Sequence, residues 1–152
     1  MKIIIHGKPQ QQERPRASAY RGMVRLYDPP ASRHAKALIQ NELKDYHILK
    51  PSEKPLHVEF HFYIPIPKSY SKKVRKAIDE GTHMAVKRPD LSNYIKLVED
   101  ACNGILWHDD SQVVQLLARK EYSSTPRTEI IVKELQPTDT PEPNVLEKSK
   151  KR

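Results

Sequence analysis

Residues 88–113 read RPDLSNYIKLVEDACNGILWHDDSQV, and this stretch organises the rest of the chain. Proline is favoured in the first turn of a helix and glycine follows its end, so Pro89 and Gly104 bracket a predicted helix of about 14 residues. At about 100° per residue, apolar side chains fall on one side of this helix: Leu91, Ile95, Val98 and Cys102. Polar side chains fall almost opposite: Asn93, Lys96 and Asp100. One side of the helix is therefore expected to pack in the core, and the other to carry polar chemistry.

Carboxylates lie at both ends of the predicted helix. Asp90 stands at its start, and Asp109 and Asp110 come just after its end. Magnesium needs only one or two protein carboxylates, because waters and phosphate oxygens complete its coordination. Asp90 and Asp110 are the first-choice ligands, and Asp109 is a neighbour that ligates or orients. Asp100 is about three turns, roughly 15 Å, from Asp90, so a structural or supporting role is expected for it.

The order and spacing of these residues resemble a known nuclease family. The pattern is Pro89-Asp90-x-Ser92-Asn93-x-x-Lys96-x-x-x-Asp100-Ala101-x-Asn103-Gly104, followed by Asp109-Asp110-x-Gln112-Val113. It is similar to the pattern of the RusA-type Holliday-junction resolvases, densely over residues 88–113 and more loosely over residues 1–135. The family pattern has Asp-x-Asp-Asn at its start, so Ser92 of this chain stands where a carboxylate is usual.

The resemblance implies a magnesium-dependent, structure-selective DNA endonuclease that resolves four-way junctions by paired nicks in recombination and repair, with Mn²⁺ as an alternative metal. Symmetric cuts need two active sites related by a twofold axis, so a homodimer is also implied. Asp90, Asp110 and Lys96 are the implied catalytic residues, and Ser92, Asn93 and Asp100 support them. Lys96 would hold the scissile phosphate or stabilise developing charge, and Asn93 would donate to phosphate or fix a carboxylate. Small proteins of this kind occur in bacteria and their prophages.

A second class of function stays open, a non-catalytic DNA-binding protein of the same fold whose metal site is degraded through Ser92. Taken alone, Asp90 would be an acid favoured at a helix start, and Asp109-Asp110 an ordinary turn. Their combination in this spacing, together with the resemblance to the family, favours the nuclease. Nicking of a four-way junction with and without Mg²⁺ separates the two classes.

The composition indicates one basic, globular domain. The 152 residues hold 27 Lys and Arg against 19 Asp and Glu, a formal net charge of +8. A basic surface favours nucleic acid as a partner, because neutralising phosphates releases counterions. No apolar run approaches the roughly 18 residues of a membrane span, and the apolar run at Ile3 is too short for a signal peptide, so a cytoplasmic protein is expected. The lone Cys102 is expected to be a buried thiol in a reducing compartment.

The whole sequence predicts an α/β fold of the α+β type, with a mixed, mainly antiparallel sheet and helices packed on one side. Strands are predicted at Ile3–Ile5, Met23–Tyr27, Leu56–Ile64, Gln112–Tyr122 and Thr128–Leu135. The last two are expected to form an antiparallel hairpin. Helices are predicted over residues 33–46 and after Ser71, besides the central one. The domain is expected to span residues 1–135, and residues 136–152 to be a disordered basic tail.

Basic side chains outside the central helix are predicted to contact the DNA backbone: Lys72, Lys73, Arg75, Lys76, Lys87, Arg88, Arg14 and Arg16. The first four crowd the short helix after Ser71, and the last two lie in a polar loop or hairpin over residues 8–22. An exposed helix and a solvated loop are the alternatives. Further basic residues are expected on a solvated helix face: Arg33, Lys36 and Lys44. The stripe His57-x-Glu59-x-His61 is interpreted as the polar face of a strand rather than a metal site.

Overall fold

The structure is a computed structural model that describes residues 1–137. The predicted tail lies almost wholly outside the described residues, so its disorder and the domain boundary stay predictions. Within residues 1–137, no helix has the length and apolar character needed to cross a membrane. The strands are β1 (Lys2–His6), β2 (Arg16–Tyr20), β3 (Met23–Tyr27), β4 (Leu56–Pro65), β5 (Val113–Ser123) and β6 (Arg127–Glu134). The helices are α1 (Pro30–Leu43), α2 (Lys72–Asp79) and α3 (Leu91–Cys102), with short 3-10 helices at Lys44–Tyr46 and Asp110–Gln112.

Four strands form one mixed sheet in the order β1-β6-β4-β5. β6 runs antiparallel to β1 and β4, whereas β5 runs parallel to β4. The predicted α+β class is confirmed, but the predicted hairpin of β5 and β6 is wrong, because β4 lies between them. The short turn after β5 passes the end of β4, where Pro65 pairs with Ser123. β4 is the most apolar strand. Its place between β5 and β6 gives its backbone hydrogen-bonding partners along both edges, which a β5–β6 hairpin would not provide.

The core lies between one face of the sheet and the two longer helices. β4 contributes the side chains that its alternation predicts: Val58, Phe60, Phe62 and Ile64. α1 contributes Ala35, Ile39 and Leu43, and α3 contributes Tyr94, Leu97, Val98, Ala101 and Cys102, whose thiol is buried as predicted. The buried side of α3 is rotated from the predicted one, since Leu91 and Ile95 are only partly buried. Stacking of Tyr94 on Phe62, with ring centroids 5.1 Å apart, accompanies this rotation.

The loop after α3 is held by Trp107, which is fully buried. The Trp107 indole Nε1 donates to Asn103 Oδ1 at 2.6 Å, and Gly104 N donates to Trp107 O at 2.8 Å. Gly104 has φ of +75°, a conformation that glycine adopts at little cost, so it ends the helix as predicted. This turn brings Asp109 and Asp110 back beside α3.

β2 and β3 form a separate two-stranded hairpin, one of the two forms predicted for this segment. Its turn is Arg21-Gly22, with φ of 48° and 76°, the pattern of a type I′ turn that matches the twist of paired strands. Every residue of both strands is exposed. We call residues 14–27 the β-arm.

The outward face of β4 carries the polar stripe that the alternation predicts. His57 Nε2 lies 3.0 Å from one carboxylate oxygen of Glu59, and His61 Nε2 lies 3.2 Å from the other. The hydrogen bond from His57 is the main cause that lowers the pKa of Glu59. The three side chains therefore satisfy one another across the strand.

Candidate functional site

The first turn of α3 leaves two predicted site residues exposed. Asp90 is the residue before the helix, and its carboxylate caps no backbone amide and has no other partner within residues 1–137. The Ser92 hydroxyl likewise makes no hydrogen bond to the part of the chain that the structure describes. Both oxygen-bearing side chains are therefore free to meet a ligand from solvent.

Lys96 brings α3 together with the turn that follows it. Its Nζ lies 2.8 Å from Asp100 Oδ1 and 3.9 Å from Asp110 Oδ2. The hydrogen bond with Asp100 raises the pKa of Lys96, and the charge of Asp110 adds to this, so the ammonium stays protonated. Asp90 stands six residues before Lys96, about 9 Å along the helix axis, and its side chain forms no hydrogen bond or ion pair with either Lys96 or Asp110 in residues 1–137. The structure thus joins Asp110 to Lys96 and leaves Asp90 further along the same helix.

Asp100 joins α3 to α1. Its Oδ2 lies 2.8 Å from Lys36 Nζ, which also lies 2.6 Å from Asp28 Oδ2. Burial alone would raise the pKa of Asp100, but Lys36 and Lys96 outweigh burial and lower it. The prediction that Lys36 belongs to a solvated face is wrong, since its side chain is only 16% exposed. Lys36 follows the buried Ser32 by one helical turn and so lies on the inward stripe, a pattern present in the sequence.

Glu99 is a carboxylate that the sequence pattern left unassigned. Burial is the largest cause that raises its pKa; Lys96 opposes this, and the charges of Asp110 and Asp100 raise the pKa further. These effects place Glu99 in the same electrostatic neighbourhood as Asp110. The sequence does contain a signal for this role: Glu99 follows Lys96 by three residues, which places both on the same side of a helix.

The neighbouring aspartates after α3 have different tasks. Asp109 Oδ1 accepts a hydrogen bond from Ser111 N at 2.8 Å, and the Gln112 side chain accepts one from Asp109 N at 2.9 Å. The bonds with Ser111 lower the pKa of Asp109. Asp109 therefore caps the short 3-10 helix that it precedes, while Asp110 faces Lys96.

Lys120 holds the chain just before Asp90, a role absent from the sequence-based expectations. Its Nζ donates to Lys87 O at 2.8 Å and to Pro89 O at 2.7 Å. Lys120 pairs with Phe62 in the sheet register and so points to the inward face. The signal in the sequence is that Lys120 occupies an inward-facing position of a strand, where a lysine needs a hydrogen-bonding partner.

The predicted DNA-contacting residues lie in three places. α2 presents three exposed lysines: Lys72, Lys73 and Lys76. Arg75 differs from them, because its guanidinium donates to Tyr70 O at 3.2 Å and Pro67 O at 3.1 Å and so holds the loop before α2. Lys87 and Arg88 directly precede the Asp90 segment, and Arg14 and Arg16 lie at the base of the β-arm.

The base of the β-arm is tied to the first turn of α3. Gln12 N donates to Asn93 O at 2.9 Å, and Gln12 Nε2 donates to Asp28 Oδ1 at 3.0 Å. Glu13 N donates to Ser32 Oγ at 2.9 Å. The arm therefore begins and ends beside the cluster of Lys36, Asp100 and Lys96.

The oxygen donors of this region fit a hard divalent cation such as Mg²⁺, which takes one or two carboxylates and keeps several waters. Across residues 1–137, no three His, Cys, Asp or Glu side chains converge in a way that could hold a metal ion. The donors that this region offers are carboxylate and hydroxyl oxygens, not the thiolates and imidazoles that structural zinc takes.

Known proteins are similar to this chain over nearly all of its described residues. A family model described as endodeoxyribonuclease RusA matches residues 6–133. Uncharacterized protein YqaN of Bacillus subtilis (strain 168) is 36% identical to the chain over 140 residues, which covers 89% of this chain and 96% of YqaN. The range of the family match includes both α3 and the β-arm.

Proposed function

Because the chain belongs to the RusA endodeoxyribonuclease family, as its sequence pattern predicts, we propose that it is an active, metal-dependent nuclease that resolves four-way DNA junctions by paired nicks. Mg²⁺ is the proposed metal, and Mn²⁺ is the alternative. One observation carries the proposal: the Lys96 ammonium lies 3.9 Å from the Asp110 carboxylate. Lys96 belongs to α3, the helix that Asp90 directly precedes, and Asp110 lies beside this helix. A cation beside exposed carboxylates suits phosphodiester hydrolysis, because the carboxylates can hold a metal and the cation can stabilise charge on the phosphate.

Each residue of the candidate site has a proposed task. Asp90 and Asp110 hold the metal, with Glu99 and Asp109 as neighbouring carboxylates. When bound, the metal supplies activation of a water and neutralisation of charge on the phosphate. Lys96 stabilises charge that develops on the phosphate oxygens, because it is fixed in place before the reaction. Asp100 is a positioning residue, since it holds Lys96 on one side and is itself held by Lys36.

The carboxylates that remain support an active enzyme over a degraded one. Ser92 removes one expected carboxylate, but Asp90, Asp110 and Glu99 remain on this side of the helix, and Mg²⁺ needs only one or two. The exposed Ser92 hydroxyl adds a neutral oxygen able to hold a metal-bound water. A DNA-binding protein without metal chemistry is the alternative. Paired nicking further implies a homodimer, and we propose branched DNA of a bacterial or prophage genome as its substrate in the cytoplasm.

Nicking of a synthetic four-way junction by the full chain, with Mg²⁺, Mn²⁺ or a chelator, tests the proposal. We expect Asp110→Asn to lower nicking by about 10²–10³-fold, the loss typical of removing one group that stabilises the transition state. Junction affinity should stay similar or rise, because a negative charge near phosphate is removed.

The matched control is Asp45→Asn, which removes an exposed carboxylate from the 3-10 helix after α1. It should leave both nicking and binding unchanged. Full activity of Asp110→Asn would eliminate the proposed site. Junction binding by the parent without nicking at any metal concentration would favour the non-catalytic alternative.

A further inference from the structure

The β-arm has two chemically different faces. Residues that pair directly across the two strands point to the same side. The strand register therefore places five basic, aromatic or polar side chains and one methionine on one face: Arg16, Ser18, Tyr20, Met23, Arg25 and Tyr27. The other face carries only apolar side chains: Ala17, Ala19, Val24 and Leu26. We call the first one the basic-aromatic face.

The arm carries positive charge that nothing in the described chain neutralises. Residues 14–27 contain four arginines and no acidic residue. None of these arginines forms an ion pair within residues 1–137, and Arg21 lies 5.3 Å above the Tyr20 ring. Planar guanidinium groups suit phosphate contacts in particular. The complementary partner for this surface is a polyanion.

The arm projects from the proposed nuclease site. Its first residues follow Gln12, which is bonded to Asn93 of α3, and its last residue precedes Asp28, which is bonded to Lys36. Each strand is five residues long, so the arm extends about 17 Å. DNA bound over α3 would therefore lie within its reach.

An isolated two-stranded hairpin is only marginally stable in water, so this arm is expected to gain order from a partner. A two-stranded ribbon is one of the elements that the major groove of DNA admits. Tyr20 and Tyr27 are 70% and 43% exposed, and exposed tyrosines stack on bases that lack a neighbour. A branch point exposes base faces that a continuous duplex keeps stacked.

We propose that the basic-aromatic face of the β-arm binds DNA at the branch point, with Arg16 and Arg25 on phosphates and Tyr20 and Tyr27 stacked on exposed bases. This inference rests on the proposed function, because it takes a junction seated over α3 as its starting point. It adds a site that favours branched over linear DNA, separate from the residues that cleave. A second copy of the chain, packed on the apolar face, is the competing occupant.

The test measures binding of the full chain by fluorescence anisotropy without divalent metal, to a four-way junction and to a linear duplex of the same arm sequence. We expect Tyr20→Ala with Tyr27→Ala to weaken junction binding by about 30-fold or more, because two stacked bases each lose their aromatic partner, and to leave duplex binding nearly unchanged. Arg16→Gln with Arg25→Gln should lower the salt slope for both DNAs by about 1.8, since each phosphate contact contributes about 0.9.

Two variants serve as controls. Leu49→Ala removes an apolar side chain that is 99% exposed in another loop. Lys133→Gln removes an exposed charge from β6, on the sheet face opposite the helices. Neither should change the preference for the junction, and all variants should keep the thermal midpoint of the parent, because the arm lies outside the core.

The outcomes separate the alternatives. Parent-like junction binding by both double variants would overturn the proposal. So would a fall in mass from dimer to monomer, measured by sedimentation, that accompanies the loss of binding, because the arm would then contact a second copy. Nicking is read separately: a parent that binds but does not nick removes the nuclease proposal alone, and a parent that binds no junction overturns both.

Discussion

Removing the Lys36 ammonium tests how the candidate site is held together. Lys36 Nζ lies 2.6 Å from Asp28 and 2.8 Å from Asp100, and its side chain is 16% exposed. Hydrogen bonds to charged groups contribute about 1.5–3 kcal/mol each, so two of them give about 3–6 kcal/mol. The carboxylates keep partial access to water, with 32% and 24% exposure, and Asp100 also keeps Lys96. We therefore expect Lys36→Met to lower the free energy of unfolding by about 2–4 kcal/mol.

A double-mutant cycle isolates the part that belongs to the pair of Lys36 and Asp100. Urea unfolding gives the free energy for Lys36→Met, Asp100→Asn and the double variant, with an unchanged dependence on urea as the sign of an intact native state. We expect the double variant to be about 1–2 kcal/mol more stable than the sum of the single changes predicts. Arg33→Met is the control, because Arg33 is exposed on the same helix and has no ion pair within residues 1–137; its effect should stay within about 0.5 kcal/mol. Additivity within about 0.3 kcal/mol would refute the ion pair.

Three further predictions concern metal use, DNA binding and acid stability. Ser92→Asp should lower the Mg²⁺ concentration for half-maximal nicking. Ser92→Ala should keep the thermal midpoint, since the hydroxyl forms no hydrogen bond in residues 1–137. If the hydroxyl capped the helix instead, its removal would lower the free energy of unfolding by about 1 kcal/mol. Replacing Lys72, Lys73 and Lys76 by alanine should lower the salt slope of junction binding by up to about 2.7; an unchanged slope would mean that α2 does not touch phosphate. Burial alone would raise the pKa of Glu129, but its two cationic partners outweigh burial and lower it. The stabilisation that ionised Glu129 gives the folded state is therefore complete above the ordinary carboxyl pKa and is lost as pH falls through the lower pKa of the folded state. Glu129→Gln should abolish this part of the pH dependence of the free energy of unfolding, measured by unfolding curves at pH values across these two pKa values.

The sequence by itself determined the features that depend on neighbours along the chain. The alternation in β4 predicts which side chains enter the core, and Ser71 caps α2 as its position predicts, with its Oγ accepting from Val74 N. The spacing from Asp90 to Asp110 identifies the family, because the whole motif lies on one helix and the turn that follows it, so its residues are close together in the sequence. Local periodicity and local hydrogen bonds fix these features before the chain folds.

Tertiary structure decided which side chains meet. β5 and β6 are successive in the chain, yet both pair with β4, because a central strand needs backbone partners on both edges. Asp109 and Asp110 are adjacent, yet only Asp110 faces Lys96, because the capping of the 3-10 helix turns the Asp109 carboxylate toward Ser111. The role of Lys36 likewise depends on how α1 packs against α3, since its partner Asp100 lies 64 residues further along the chain, whereas its other partner, Asp28, is only eight residues away. Such pairings depend on the rotation and stacking of whole elements, which the packing of the core fixes and no local pattern specifies.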